Sequence, residues 1–328
     1  MRLSHIHAVG ASFSTTDFAH ATLHRMLSRH EHKTLVWVDL ETPTKSEVEH
    51  VMDEFKIHHL IGEELLLPTA KPRVEFFSDY VYAILHFPAL RHTHKSVEQE
   101  IDFVVGRSFI ITTHYDTIDP LHNFSKVFEV NSILDRSHLE EHAGFVFFYM
   151  LKRLYKAVEH EVDFVKSDLS HIEKYLFSGK EVDLVTLLSR SAHDLLNLRQ
   201  TIEPHRDVLH SLEQDGARFF GDEFQPYLKA LSNEYYRVHN HVMRLTEILH
   251  ELRETNNSLL STKENETMRT LTLMALFTFP LALMVSVLQV NSVHNPILGL
   301  KYDFWIIVAI TVLTGVGMLL YFKHKKWL

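Results

Sequence analysis

Two uncharged stretches near the end of the chain decide its architecture: LTLMALFTFPLALMVSVLQV at residues 271–290 and FWIIVAITVLTGVGMLLYF at residues 304–322. At a rise of about 1.5 Å per residue, each is long enough as a helix to cross the roughly 30 Å hydrocarbon core of a bilayer. A helix on the surface of a soluble protein carries charges on the face that meets water, and these two carry none. The sequence therefore predicts two membrane-spanning helices.

The residues that flank the two spans predict their orientation. The tail at 323–328 contains three lysines, whereas the connecting loop at 291–303 contains only Lys301. Basic residues accumulate on the cytosolic side of a membrane, so we expect a cytosolic tail and an extracytoplasmic loop. Both termini then lie in the cytosol, and we expect the protein in the inner membrane of the cell. Two helices cannot enclose an aqueous path, so any ion crossing here needs several copies of the chain.

The composition of the other residues is that of a folded cytosolic protein. The chain has 328 residues, 45% of them hydrophobic, and its first residues contain no long apolar stretch typical of a signal peptide. The absence of cysteine excludes disulfides and a cysteine nucleophile. The net charge of −9 argues against nucleic acid as a partner.

The first part of the chain, residues 1–138, reads as an α/β domain. Four runs rich in β-branched and aromatic residues predict strands, and Thr44 and Ser46 are candidate N-caps of a helix between the first two. The four runs are LVWVDLE (35–41), YVYAILHFP (80–88), EIDFVVG (100–106) and RSFIITTHY (107–115).

Residues 139–270 predict a stalk of long helices. An apolar stripe at steps of three and four runs from Leu151 to Leu176, and a second helix after Gly179 repeats leucine or isoleucine every seven residues. We expect interruptions of that second helix at Pro204, at Asp215-Gly216 and near Gly221.

A third helix is predicted over 223–291, about 69 residues or roughly 100 Å at the standard rise. Two heptad rows run along it towards the first span, one from Leu228 to Leu249 and one from Leu231 to Leu259. Asn256 and Asn257 enter the seam near the membrane, either as polar residues that set the register or as the lining of a hydrated vestibule.

Several of these segments, in this order, resemble the CorA family of magnesium and cobalt transporters along almost the entire chain. The resemblance is carried by WVDLETPTKSEVEHV, KPRVEFFSDYVYAILHFP, EIDFVVGRSFIITTHYD, TIEPHRDVLHSL, NSLLSTKENETMRTLTLMALFTFPLAL and the ending KKWL. It implies an α+β membrane protein: a homopentamer with a cytosolic α/β funnel domain, a long stalk and pore helix, and an outer second helix. It also implies a divalent cation, Mg²⁺ first and Co²⁺ or Ni²⁺ next, as the substrate, with no cofactor.

The same resemblance places an ion pathway on the first span and the turns before it. Along the helix from Met268 to Gln289, most of the predicted pathway residues recur at steps of three and four, which puts them on one helix face. Small residues there are equally compatible with close helix packing. The resemblance makes Met268, Leu271 and Phe279 hydrophobic constrictions and Glu254 a gating or regulatory carboxylate. The predicted pathway residues are Asn265, Met268, Leu271, Thr272, Ala275, Phe279, Ala282, Ser286, Gln289 and Asn291.

The chain departs from the family at the outer mouth, where Gln289-Val290-Asn291 stands in place of Gly-Met-Asn. Asn291 can still contact the hydration shell of Mg²⁺ through its amide oxygen. The loop has no carboxylate before Asp303, and Ala230 stands where the family has an aspartate of its regulatory metal site.

Other functions remain open. The 26 histidines, some in close pairs such as His30/His32 and His58/His59, are compatible with surface residues or with a soft-metal site. They motivate a zinc or nickel transporter similar to the ZntB branch, which also has valine at the middle position of the mouth. The altered mouth motivates a non-conducting membrane scaffold. An enzyme is not expected, because the chain has no nucleotide-binding glycine loop, nucleophile elbow or H-E-x-x-H motif.

Overall fold

The computed structural model describes residues 27–32, 35–88, 98–115, 118–134, 142–178, 183–290 and 302–325. The chain divides into two compact units, Met1–Glu251 and Leu252–Leu328. Each unit is described by itself.

The larger unit contains a six-stranded mixed sheet. Its strands are β1 (Leu27–His32), β2 (Leu35–Glu41), β3 (Arg73–Phe76), β4 (Tyr80–Phe87), β5 (Gln99–Gly106) and β6 (Phe109–His114). The order across the sheet is β1-β2-β6-β5-β4-β3, and only β2 and β6 run parallel. The four predicted strands are confirmed, while the two edge strands β1 and β3 were not predicted.

Two helices pack against one face of the sheet: α1 (Lys45–Phe55) and α2 (His59–Glu64). Thr44 is the N-cap of α1, with a complete capping box to Glu47, so this predicted cap is confirmed. Ser46 lies inside the helix and does not cap it. Apolar residues of α1 and α2 form a core with the sheet that includes Val48, Ile61 and Tyr82.

The larger unit continues with α3 (Asp119–Leu134), α4 (Ala143–Ser178), α5 (Leu184–Ile202) and α6 (His205–Phe220). The apolar stripe from Leu151 to Leu176 is buried along α4, as predicted. The interruption at Pro204 is confirmed, because it separates α5 from α6.

The expected break at Asp215-Gly216 is wrong, since α6 passes through both residues without interruption. Gly216 is there for close packing, because a Cβ at this position would lie 2.8 Å from a methyl group of Leu228. The helix ends at Gly221, whose φ of 97° is a conformation that suits glycine.

A short 3₁₀ turn at Asp222–Phe224 leads into α7 (Gln225–Leu288), one helix of 64 residues. The predicted long helix therefore exists but begins two residues later than Glu223. The predicted end at Asn291 is wrong, because α7 ends at Leu288 and neither Gln289 nor Val290 is helical. The Val290 amide donates to the Val287 oxygen at 3.3 Å, three residues back, instead of continuing the helical pattern of four.

The heptad rows of α7 are buried only in part. Both rows are buried as far as Leu252, whereas Leu259 is 42% exposed in the single chain, so its place in the predicted seam stays a prediction. No residue from Asn257 to Thr272 is buried, because nothing else in the described chain covers this stretch. Asn256 is buried and Asn257 is exposed.

In the smaller unit, the last part of α7 pairs with α8 (Asp303–His324). Both helices are long and apolar enough to cross a membrane. Gly315 lies in the contact between the two helices: a Leu281 methyl group and the Phe277 ring are 3.7 and 3.8 Å from the point where its Cβ would stand, which is ordinary van der Waals distance. The hydroxyl of Thr314 donates to the sulfur of Met284 at 3.6 Å.

Candidate ion pathway

The predicted pathway residues occupy a single continuous element. All of those from Asn265 to Ser286 lie on α7, Gln289 follows in the first turn beyond it, and Asn291 lies outside the described residues. All the described ones are exposed except Ala275, which is half-buried. This places one stripe along the helix that no described residue of the same chain covers.

The opposite side of α7 is the side that packs on α8. Phe277, Leu281 and Met284 make the contacts with that helix. At about 100° per residue, the centre of this contact face lies roughly 160° from the centre of the predicted stripe. The pairing with α8 therefore leaves the stripe open to another partner or to solvent.

The stripe combines polar and bulky apolar side chains. Thr272 donates its hydroxyl hydrogen to the backbone oxygen of Met268 at 2.8 Å. Because that hydrogen is engaged within the helix, the oxygen of Thr272 presents its lone pairs outward as an acceptor. An acceptor of this kind suits the water molecules that surround a hydrated cation.

Three bulky apolar residues interrupt these polar positions. Met268, Leu271 and Phe279 are 64%, 56% and 72% exposed. Large apolar side chains at such exposure mark a surface that meets lipid or another protein surface. If several copies turn this face towards a common axis, these rings of side chains become constrictions that exclude water.

Glu254 lies on the exposed side of α7, three turns before the first pathway residue. At about 100° per residue, the separation of eleven residues makes about three full turns, so Glu254 lies on nearly the same side of α7 as Asn265. This position does not test its role in gating. It stays a prediction.

The larger unit also contains a polar pocket that was not predicted from the sequence. A pocket of about 260 Å³ is lined by Thr69, His86, Glu98, Gln99 and Glu100, among others. Glu100 accepts from the backbone nitrogen of Thr69 at 2.7 Å. The His86 ring lies 3.2 Å from Glu100 and 3.7 Å from Glu98, so carboxylates surround it.

Asp102 extends this cluster into the sheet. Its side chain is fully buried, and one of its carboxylate oxygens has no hydrogen-bond partner. Burial, followed by the charge of Glu100, raises the pKa of Asp102 well above its ordinary value. Burial and the neighbouring carboxylate therefore both favour the protonated form of Asp102.

The sequence contained a signal for this cluster. Glu100 and Asp102 are two residues apart on β5, which places both on one face of a strand predicted to be buried. What the sequence did not give was the register that sets His86 opposite Glu100.

The histidine pairs that lie in the described residues do not form a metal site. Within the described ranges, no group of three His, Cys, Asp or Glu side chains is arranged to hold a metal ion. The pairs His5/His7 and His92/His94 lie outside the described residues.

Comparison with known proteins finds relatives along almost the whole chain. The family model described as "CorA-like Mg2+ transporter protein" matches residues 32–324. The chain is 24% identical over 318 residues to the "Cobalt/magnesium transport protein CorA" of Thermotoga maritima, covering 96% of this chain and 88% of that one.

Two solved structures share the fold. The CorA magnesium transporter from Methanocaldococcus jannaschii aligns with a TM-score of 0.79 at 18% identity, covering 91% of this chain and 93% of that one. The full-length CmaX protein aligns with a TM-score of 0.70 at 15% identity, covering 89% of each chain.

Proposed function

The chain belongs to the CorA-like Mg2+ transporter family, and on that basis we propose that it carries a divalent cation across the membrane. Its two long apolar helices, α7 and α8, insert into the bilayer with both termini on the cytosolic side. The cation is the substrate, with Mg²⁺ first and Co²⁺ second, in line with the name of the Thermotoga relative, a cobalt/magnesium transport protein.

One observation carries the proposal: the stripe on α7 that faces away from α8. It mixes hydroxyl and amide side chains with large apolar ones, so neither lipid nor bulk water suits its whole length. Several copies that turn their stripes towards one axis satisfy both kinds of side chain. We propose a homopentamer as that assembly, which is the assembly implied by the family resemblance.

The side chains of the stripe favour a hydrated, oxygen-preferring ion. Thr272, Ser286 and Gln289 offer oxygen atoms, and no described pathway residue is a histidine, cysteine or carboxylate. Mg²⁺ keeps most of its water and accepts such neutral oxygens, whereas Zn²⁺ prefers nitrogen and sulfur ligands. This supports Mg²⁺ over the zinc alternative.

The test is metal uptake by liposomes that contain the purified full-length chain. We expect Mg²⁺ and Co²⁺ to enter down their gradients. Flux of Zn²⁺ without Mg²⁺ would overturn the choice of ion, and absence of flux for every metal at every membrane potential would favour the non-conducting scaffold.

A pair of neighbouring substitutions tests the pathway itself. Ser286→Trp places a large ring on the stripe, whereas Val287→Trp places the same ring one residue later, at a position about 100° around the helix. Both side chains are exposed on the chain. We expect Ser286→Trp to abolish flux and Val287→Trp to retain it; equal flux in the two variants would remove Ser286 from the pathway.

Asn291 receives its own test, because its role rests on the family resemblance. Asn291→Ala removes the amide that would contact the hydration shell. We expect a large loss of Mg²⁺ flux, and Asn291→Gln should restore part of it because the amide group returns.

A further inference from the structure

A shallow apolar cleft of about 480 Å³ lies between α7 and α8 within the smaller unit. Leu276 and Pro280 line it from α7, and Gly317, Met318 and Tyr321 line it from α8. Gly317 helps keep the cleft open, since a Cβ built there would meet no atom within 4 Å. The cleft can therefore accept an apolar group without rearrangement.

The cleft is separate from the proposed ion pathway. On the helical wheel of α7, Leu276 and Pro280 lie roughly 110° from the centre of the predicted stripe, between that stripe and the face that meets α8. When the stripe faces a central axis, the cleft faces the side or the outside of the assembly, where the bilayer is.

Two cationic side chains stand at the cytosolic end of this cleft. Arg269 precedes Leu276 by seven residues, and Lys325 follows Met318 by seven residues. Seven residues are about two turns, so each cation lies on the same side of its helix as the lining residue and roughly 10 Å beyond it. Both side chains are exposed.

An apolar cleft with cations beyond its end matches a molecule that has an apolar chain at one end and an anionic group at the other. The cleft offers an apolar surface at the depth of acyl chains, and Tyr321 stands near its end at the depth of the interface. The two cations stand at the depth of the headgroups, where arginine and lysine attract anionic lipids.

We propose that the cleft is a binding site for an anionic phospholipid, with an acyl chain between Leu276 and Met318 and the headgroup phosphate at Arg269 and Lys325. The site requires only that α7 and α8 cross the membrane, and it is independent of which ion the protein carries. Its occupant is a lipid of the cytosolic leaflet.

The chain contains no cysteine, so one introduced cysteine gives a unique label site. The test uses the full-length chain with Gly317→Cys carrying a bimane fluorophore, in bilayers of phosphatidylcholine. A minor fraction of lipid is brominated in its acyl chains, either as phosphatidylglycerol or as phosphatidylcholine. Leu319→Cys, two residues later and exposed on another side of α8, is the matched control.

We expect brominated phosphatidylglycerol to quench the label at residue 317 more than brominated phosphatidylcholine does, with no preference at residue 319. Each cation near the surface contributes about a fivefold preference for an anionic lipid. Lys325→Gln and Arg269→Gln should each reduce the preference by about that factor, whereas Lys263→Gln, on another side of α7, should leave it unchanged.

Three results would overturn the site. Equal quenching by the two lipids at residue 317, or a preference that survives both Lys325→Gln and Arg269→Gln, removes the headgroup assignment. Absence of quenching by either lipid means that protein, such as a second copy of the chain, fills the cleft. Flux measured in the same bilayers separates these outcomes from failure of the transport proposal.

Discussion

His205 provides a quantitative test of the larger unit, because it is fully buried and its two ring nitrogens have different partners. Nε2 lies 2.7 Å from the backbone oxygen of His86, which can only accept, so Nε2 carries the hydrogen. Nδ1 lies 2.9 Å from the hydroxyl of Tyr155 and accepts from it in the neutral ring. The fold therefore requires neutral His205, and acidification is the perturbation that should break this arrangement.

The magnitude follows from the shift in its pKa. Burial lowers the pKa of His205 from 6.5 to about 4. Because the pKa is lower in the folded state, the unfolded chain takes up the proton first as the pH falls, and stability is lost between pH 6.5 and pH 4. At pH 5 this loss is about 2 kcal/mol, and it approaches roughly 3.4 kcal/mol below pH 4.

The assay compares the wild-type chain with His205→Gln, whose amide can still donate to the His86 oxygen but does not titrate. Thermal unfolding of the full-length protein in detergent is followed by circular dichroism at pH 7.5 and pH 5. A unit of this size changes its Tm by about 2–4 °C per kcal/mol, so the wild type should lose about 4–8 °C relative to the variant.

Other groups with a shifted pKa, such as Asp102, are present in both proteins and cancel in this difference. The variant is expected to be less stable than the wild type at pH 7.5, and the gap should narrow on acidification. A gap of the same size at both pH values would refute the assignment of neutral His205.

Three further predictions concern other parts of the chain. The pKa of Asp102 is raised in the folded state, so the unfolded chain releases this proton at lower pH and stability falls as the pH rises above the unfolded pKa. Asp102→Asn should therefore raise the Tm at pH 8 and leave it nearly unchanged at pH 4, whereas a lower Tm of the variant at pH 8 would contradict the raised pKa. Gly221→Ala should lower the free energy of unfolding by roughly 1–3 kcal/mol, measured as a lower Tm, because φ of 97° with ψ of 156° is a backbone conformation that essentially only glycine adopts; an unchanged Tm would contradict this strain. Replacing either Met268 or Phe279 by alanine should raise Mg²⁺ flux in liposomes, since a smaller side chain widens a water-excluding constriction, and unchanged flux in both variants would contradict their role as constrictions.

The central strands could be predicted from sequence and the edge strands could not, for a physical reason. β2, β4, β5 and β6 are buried on the sheet, so burial selects Val, Ile, Phe and Tyr in them. β1 reads LSRHEH and pairs on one side only, with β2. Polar edge strands protect a sheet from further pairing, and they lose the apolar signal in doing so.

Whether a glycine ends a helix or lies within it depends on why glycine is needed there, either for a positive φ or for close packing against a neighbour. Gly221 ends α6 because of its positive φ, and Gly216 continues the same helix because its missing side chain admits Leu228. Both look alike in sequence. Only the position of Leu228 on the next helix separates the two roles.

The predicted pathway and the polar cluster also differ in whether the sequence alone could predict them. The stripe on α7 follows from the 3.6-residue period alone, so its members share a face as soon as the segment is helical. The cluster around Asp102 depends on strand register across β4 and β5, which no local pattern determines. Local periodicity thus predicts the pathway face, whereas long-range pairing creates the polar cluster.

The charge of the transported ion poses a final question, because the sequence has no carboxylate from Thr267 to Tyr302. Attraction for a cation must then come from neutral dipoles. α7 ends at Leu288, so its C-terminus, with roughly half a negative charge from aligned peptide dipoles, points to the outer mouth. In the proposed assembly several such ends meet around one axis beside Gln289. A field of this origin attracts cations without binding them as ligands, which suits an ion that enters with its water still attached.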